Sequence, residues 1–263
     1  MDAVEKIREE LRESFARDEG LILPIRIPKT ASASFARALF NWKVRQFVSW
    51  RRIKDDEEAH GTDWVEYEAP AGWWDHYSAQ FCIDTLGAEA WDNALTMAVV
   101  RNPWQRLYSI WKYWHCTAVT AGADSKVLQF AEISFSDWIM GGCKETAWTA
   151  PHHSVVFPAN PVLSQLSWVT TQSGDIAVKV LLRLEELVPH GERVLKQQLG
   201  PGFRMGVERL NATSVENEYQ SFYTPQLIEK VNELCREDIE LLGYTFGGII
   251  NNTYTQEREK QDE

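Results

Sequence analysis

Leu21-Ile-Leu-Pro-Ile-Arg-Ile27 leads straight into Pro28-Lys-Thr-Ala-Ser-Ala-Ser34. The first stretch has the length and apolarity of a short buried strand. The second is a run of small residues carrying one lysine. After it Phe35, Ala38, Leu39, Trp42 and Phe47 fall near helical spacing. The unit reads strand, small-residue loop, helix. A second unit of the same kind follows. Thr96-Met-Ala-Val-Val100 is a buried strand, and Arg101-Asn-Pro103 leaves it. Pro103 suits the first turn of a helix, in which Leu107, Ile110, Trp111 and Trp114 form one apolar stripe. Ile176-Ala-Val-Lys-Val-Leu-Leu182 is a third strand, followed by a helix near 185–199. Strands alternating with helices predict an α/β fold whose central parallel β-sheet is flanked by helices.

Around this frame, residues 2–19 read as a charged amphipathic helix and 76–92 as another, ending near Trp91. Residues 51–75 are polar and irregular, and the Lys54-Asp-Asp-Glu-Glu58 cluster marks a solvated loop. The stretch 117–175 is weakly periodic and predicts short helices and long loops. Thr224-Pro225 opens a last helix with a capping hydroxyl and Pro at the first position, and Leu242-Gly243 closes it. The expected organisation is a single α/β domain over 1–250 and a polar tail over 251–263. Loops 50–75 and 117–175 are expected to roof an acceptor site.

Composition sets the limits. The chain has 263 residues, 44% apolar and 25% charged, an ordinary globular balance. With 27 Lys+Arg against 38 Asp+Glu the net charge is −11. Long-range repulsion of polyanions argues against a nucleic-acid surface. No apolar run approaches a membrane span, and the first twenty residues are charged rather than signal-like. The four cysteines, Cys82, Cys116, Cys143 and Cys235, form no CxxC. They read as free thiols, and the expected location is cytoplasmic.

Two constellations carry chemistry. In Pro28–Ser34, small residues let backbone N–H groups curl around an anion, the next helix start adds positive potential and Lys29 adds a point charge. Alone, the segment reads either as such a cradle or as a Ser/Ala-rich turn with a lysine in it. It is P-loop-like without being a Walker A loop, because Leu23 and Pro28 stand where glycines are needed. That disfavours an ATPase or kinase. In Arg101-Asn-Pro-Trp-Gln-Arg-Leu-Tyr-Ser109, Arg101 sits at a strand end and Ser109 two turns into a helix. A guanidinium forks onto phosphate oxygens and a hydroxyl adds a hydrogen bond. Arg106 either joins them or faces solvent.

Together, strand-PKTAxxS-helix followed by strand-RNPxxRxxS resembles the sulfotransferase family. Asp75-His76-Tyr-Ser-Ala79 is similar to its KHxxA segment, and Leu182-Arg183-Leu-Glu185-Glu-Leu187 to its GRFENL segment. Asn211 and Ser214, then Tyr223 and Asp238 through Tyr244, resemble its C-terminal pattern. The resemblance implies a three-layer sulfotransferase fold and PAPS (3′-phosphoadenosine-5′-phosphosulfate) as sulfuryl donor, with PAP as product. By it, Lys29, Thr30, Ala31, Ser32, Ala33 and Ser34 line the 5′-phosphosulfate site, and Arg101 and Ser109 the 3′-phosphate site. The catalytic pair implied is His76 as general base, whose ordinary pKa of ~6.5 suits neutral pH, and Lys29 on the leaving phosphate oxygen.

A carboxylate base is the rival, with Asp75 and Glu185 as candidates and Glu185 read as serving the fold. No metal is expected, since His152-His153 are adjacent and no third ligand is evident. Twelve tryptophans, Trp73-Trp74, Trp111, Trp114 and Trp148 among them, read mostly as core. Some are left to face an aromatic, sugar-like or cationic small-molecule acceptor. The alternatives are a glycan O-sulfotransferase and a catalytically inactive nucleotide-binding relative.

Overall fold

Three parallel strands organise the molecule: β1 (Ile22–Ile25), β2 (Leu95–Val100) and β3 (Val180–Arg183), in the spatial order β1-β2-β3. The computed structural model describes residues 3–17, 22–32, 34–36, 38–39, 76–120, 129–144, 158, 160–205 and 218–250. Ile22 lies opposite Leu95 and Ile25 opposite Ala98, while Met97 lies opposite Val180 and Val100 opposite Arg183.

Period-two alternation divides the strands between two cores. Ile25, Ala98 and Val100 point into one apolar cluster. Ile22, Met97, Val99, Val180 and Leu182 point into the other. The first cluster takes in Leu11 of the Ala3–Arg17 helix, Phe81 and Cys82 of the Ala79–Leu86 helix, and Leu107 and Ile110 of the Pro103–Thr120 helix. Trp138 of the Phe135–Met140 helix and Leu227 of the Pro225–Leu234 helix complete its covering. The second is closed by Phe35, Ala38 and Leu39, by Leu195 of the Glu192–Leu199 helix, and by Phe203. Helices on both faces explain why the strands are almost wholly apolar. The architecture is the expected α/β arrangement.

Four boundaries differ from the sequence reading. The 76–92 helix is two helices, Ala79–Leu86 and Ala88–Asn93, broken at Gly87, which takes φ +87° and whose N–H bonds the Ile83 carbonyl at 2.9 Å. The third strand starts at Val180 rather than Ile176, because Ala177 N–H turns back to the Val169 carbonyl at 2.8 Å and Ile176 bridges Thr170. The regular helix after it begins only at Glu192. Pro189 forbids an earlier start, and Val188 before it is extended at φ −128° and ψ 124°. The last helix divides at Cys235 into Pro225–Leu234 and Arg236–Leu242. Its predicted ends hold: Thr224 Oγ1 accepts from Leu227 N–H at 3.3 Å, and Gly243 closes it in the left-handed region at φ 68°.

Short helices at Gln129–Glu132, Phe135–Met140 and Leu166–Val169 agree with the reading of 117–175 where that stretch is described. Trp42, Phe47, loop 51–75 and the 251–263 tail lie outside the described residues. All four cysteines are free, and only Cys116 is exposed. Among the described residues no helix is long and apolar enough to cross a membrane. β1 and β2 run side by side in parallel, so the segments after Ile25 and Val100 leave one edge of the sheet together. Open α/β sheets bind ligands beyond this edge.

Candidate functional site

The loop after β1 is bent by two residues that lack glycine's freedom. Lys29 and Ala31 both take the left-handed backbone, at φ 66° and 57°. A non-glycine residue held there costs of order 1–3 kcal/mol. The turn is fastened by Thr30, fully buried, whose Oγ1 donates to the Ile27 carbonyl at 3.0 Å. It then enters a helical turn in which Phe35 N–H bonds the Ala31 carbonyl at 3.0 Å. Alternating left-handed residues aim successive N–H groups to one side, the geometry of an anion-binding concavity. Ser32 is buried, and Lys29, Ala31 and Ser34 are half-buried. Ala33 lies outside the described residues.

The segment after β2 is clamped by side chains from distant parts of the chain. Gln165, fully buried, accepts from Arg101 N–H at 2.8 Å through Oε1 and donates Nε2 to the Arg101 carbonyl at 2.8 Å. Glu185 Oε1 accepts from Asn102 N–H at 2.7 Å, and its Oε2 accepts from the Tyr244 hydroxyl at 3.0 Å. Asn102 caps the Pro103–Thr120 helix by accepting from Trp104 N–H at 3.1 Å, and it donates Nδ2 to the Thr245 carbonyl at 2.8 Å. Both oxygens of Glu185 thus serve the fold. Burial pushes its carboxyl up from the ordinary range, opposed by those hydrogen bonds and by Arg101. Of the two carboxylates weighed as bases, Asp75 lies outside the described residues.

Direct hydrogen bonds join the two segments. Arg101 Nη1 donates to the Lys29 carbonyl at 3.3 Å, while its Nε reaches Gln105 Oε1 at 3.4 Å. Arg106 does not face solvent: it is 1% exposed, and its donors go to the carbonyls of Pro28 at 3.0 Å, Pro161 at 2.8 Å and Val162 at 2.5 Å. It is a strut under the loop, and burial lowers its guanidinium to about 10.

Lys29 is held at about 8, first by burial and then by the neighbouring Arg101 charge. Burial likewise pulls Arg101 below its usual range, against the opposing pull of Glu185. Two confined cations disfavour each other's charge, and a phosphoryl-type anion between them relieves both. The Lys29 ammonium lies 4.3 Å from the centre of the Tyr113 ring.

His76 is tied to the same strand end. Its Nδ1 lies 2.6 Å from the Arg26 carbonyl oxygen, two residues before the loop begins. A carbonyl only accepts, so Nδ1 carries the hydrogen and Nε2 is the basic nitrogen of the neutral ring. The Trp168 ring meets His76 edge-on at 6.1 Å. Ser109 is half-buried on the Pro103–Thr120 helix, one turn beyond Gln105.

Further parts of the sequence pattern act at a distance. Buried Asp238 accepts from Gln165 N–H at 2.7 Å and Leu166 N–H at 3.1 Å, and so holds the residue that clamps Arg101. Tyr223 donates its hydroxyl to the Trp104 carbonyl at 3.0 Å. Gln165 and Tyr113 carried no motif. Arg106 lay inside one, yet only its burial gives it a role. Trp111 donates to the Ile133 carbonyl at 3.2 Å and stacks on His115 at 4.7 Å, as a packing residue does. Trp73, Trp74, Trp148, His152, His153, Asn211 and Ser214 lie outside the described residues. Among the described residues no three His, Cys, Asp or Glu side chains are grouped to hold a metal ion.

Two cations, a concave backbone turn and a helix start at one sheet edge fit a phosphorylated anion by the chemistry of their donors. No curated protein and no solved structure shows significant similarity to the chain. A family model described as the sulfotransferase family matches residues 12–245, a span that takes in β1, β2, β3 and every residue of the site described above. The chain belongs to the sulfotransferase family.

Proposed function

We propose that the chain is a PAPS-dependent sulfotransferase acting in the cytoplasm on a hydroxyl or amine of a small-molecule acceptor, with residues 1–250 as one catalytic domain. The observation that carries this reading is the hydrogen bond from Arg101 to the Lys29 carbonyl, which sets the cationic ends of two strand–loop–helix units against each other. The left-handed turn at Lys29 and Ala31 supports the same assignment.

PAPS supplies the sulfuryl group. The N–H groups of the loop, with Ser32 and Ser34 beside them, receive its 5′ end. The Arg101 fork and the Ser109 hydroxyl receive its 3′-phosphate. The Lys29 ammonium faces the negative charge that grows on the phosphate side as the acceptor attacks in line. At neutral pH Lys29 is mostly protonated, which this task requires. His76 takes the acceptor's proton on Nε2. The Arg26 carbonyl, accepting from Nδ1, fixes the ring's orientation.

The test is thermal stabilisation by PAP against adenosine 5′-phosphate and Mg·ATP. A ligand at ~100 times its Kd adds ~2.7 kcal/mol to the folded state. Selective stabilisation by PAP that disappears in Arg101→Ala is expected. His76→Ala should keep that stabilisation and lose turnover. No response to millimolar PAP overturns the donor assignment, and full turnover in His76→Ala overturns the base.

A further inference from the structure

The Tyr113 ring is 48% exposed, unlike the buried aromatics of the core. It stands on the Pro103–Thr120 helix at successive i+4 steps from Gln105 and Ser109, so the three share the helix face that begins beside Arg101. The loop crosses to this face, and the Lys29 ammonium sits over the ring at 4.3 Å from its centre. Trp114 braces the same ring edge-on at 5.1 Å. Arg101 confronts Lys29 from the end of β2. Lys112, beside Tyr113 in sequence, lies over a different ring, that of Tyr108, at 5.6 Å.

Lys29 therefore occupies a costly place. It is partly withdrawn from water and faces a like charge, and both effects favour loss of its proton. The negative face of an aromatic ring acts in the opposite direction, because it attracts the ammonium and not the neutral amine. A left-handed backbone at Lys29 directs where its side chain can go, and the ring lies where it goes.

We propose that Tyr113 is a positioning residue for Lys29: its ring face holds the ammonium, in the charged form, at the mouth of the loop. The proposal rests on the sulfotransferase reading only for the identity of the anion that Lys29 then meets. Tyr113 does not need its hydroxyl for this task, and it does not itself touch the reacting atoms. The ring gives the ammonium a seat beside the anion site, so that it reaches the donor without first crossing from solvent.

The experiment is competitive acylation of the full-length protein with acetic anhydride from about pH 6 to about pH 11, reading Lys29 by peptide mass spectrometry. In the wild type the reactivity midpoint of Lys29 is expected near the value of about 8 that its surroundings impose. Tyr113→Phe keeps the ring and should keep that midpoint. Tyr113→Leu keeps apolar bulk without the quadrupole and should lower it by about half a unit to one unit. Tyr113→Met serves as a second aliphatic variant and should follow Leu. A midpoint unchanged or raised in both aliphatic variants overturns the proposal, as does a Phe variant that behaves like Leu.

PAP affinity measured over the same pH range gives the functional readout. Its alkaline decline should move to lower pH in Tyr113→Leu and stay in place in Tyr113→Phe. If the wild type fails to bind PAP, the donor assignment falls, while the order of acylation midpoints still decides the role of Tyr113.

Discussion

The turns after β1 and β2 leave the same sheet edge, yet they are built in opposite ways. The turn after β2 is satisfied: Gln165 and Glu185 occupy the backbone groups of Arg101 and Asn102 at 2.7–2.8 Å, and Asn102 Oδ1 accepts from Trp104 N–H at 3.1 Å. The turn after β1 is strained, with two non-glycine residues in the left-handed region and a lysine held below its ordinary pKa. The strained turn is braced by arginines from the satisfied segment, Arg101 on the Lys29 carbonyl and Arg106 on the Pro28 carbonyl. A receptive anion site needs unfulfilled donors and confined charge, and such a loop stays in place only against a neighbour whose own bonds are complete.

The largest effect should come from cutting the brace. Arg106→Ala removes a buried guanidinium from three carbonyls and should destabilise by about 3 kcal/mol or more, read by urea unfolding. Arg106→Lys should recover little, because one ammonium cannot reproduce the fork. Stability near wild type in Arg106→Ala would break the idea that one segment supports the other.

Asn102→Ala acts on the satisfied turn itself. Loss of the helix cap and of the bond to the Thr245 carbonyl should cost about 2 kcal/mol, seen as a lowered Tm.

Lys29→Met sharpens the comparison with the opposite sign. The folded-state pKa of Lys29 is lowered from 10.5 to about 8, so between those values the unfolded chain binds more protons, and this contribution to stability rises with pH. Lys29→Met should therefore be more stable than the wild type at neutral pH in the absence of nucleotide. That advantage should shrink as pH climbs through the window, in denaturation measured at matched pH. Turnover should be lost throughout.

The smallest effect is expected from Ala31→Gly. Relief of the left-handed strain is partly offset by the extra freedom of glycine in the unfolded chain, leaving a gain below about 1 kcal/mol in the ligand-free protein.

What was legible in the sequence is what depends on neighbours along the chain. Strands β1 and β2 announce themselves as short apolar runs, and Thr224-Pro225 and Gly243 mark their helix ends by local chemistry. Lys29, His76 and Arg101 stand in segments that carry recognisable patterns, which is what makes them candidates. The apolar run at Ile176 begins before the third strand does, because nothing local reveals that Ala177 turns back to Val169 while Lys179 is the residue that reaches Thr96, at 3.1 Å. The break at Gly87 is not legible in the sequence, because one glycine inside a periodic stretch does not declare its φ. Gln165 clamps Arg101 from 64 residues further along the chain, and Asp238 holds Gln165 from 73 residues beyond that, distances over which no periodicity speaks. The left-handed turn at Lys29 and Ala31 was hidden for a related reason, since neither residue is one that usually adopts it.

The amide hydrogen of Asn102 has a consequence beyond the site. It is held by a carboxylate 83 residues further along the chain, and Glu185 is in turn bonded to Tyr244. No fluctuation confined to the RNP turn frees that hydrogen unless three separated segments part together. Its exchange with deuterated solvent should follow global opening of the domain, slower than the amides of the half-buried loop beside it, and a nick near Tyr244 should accelerate it.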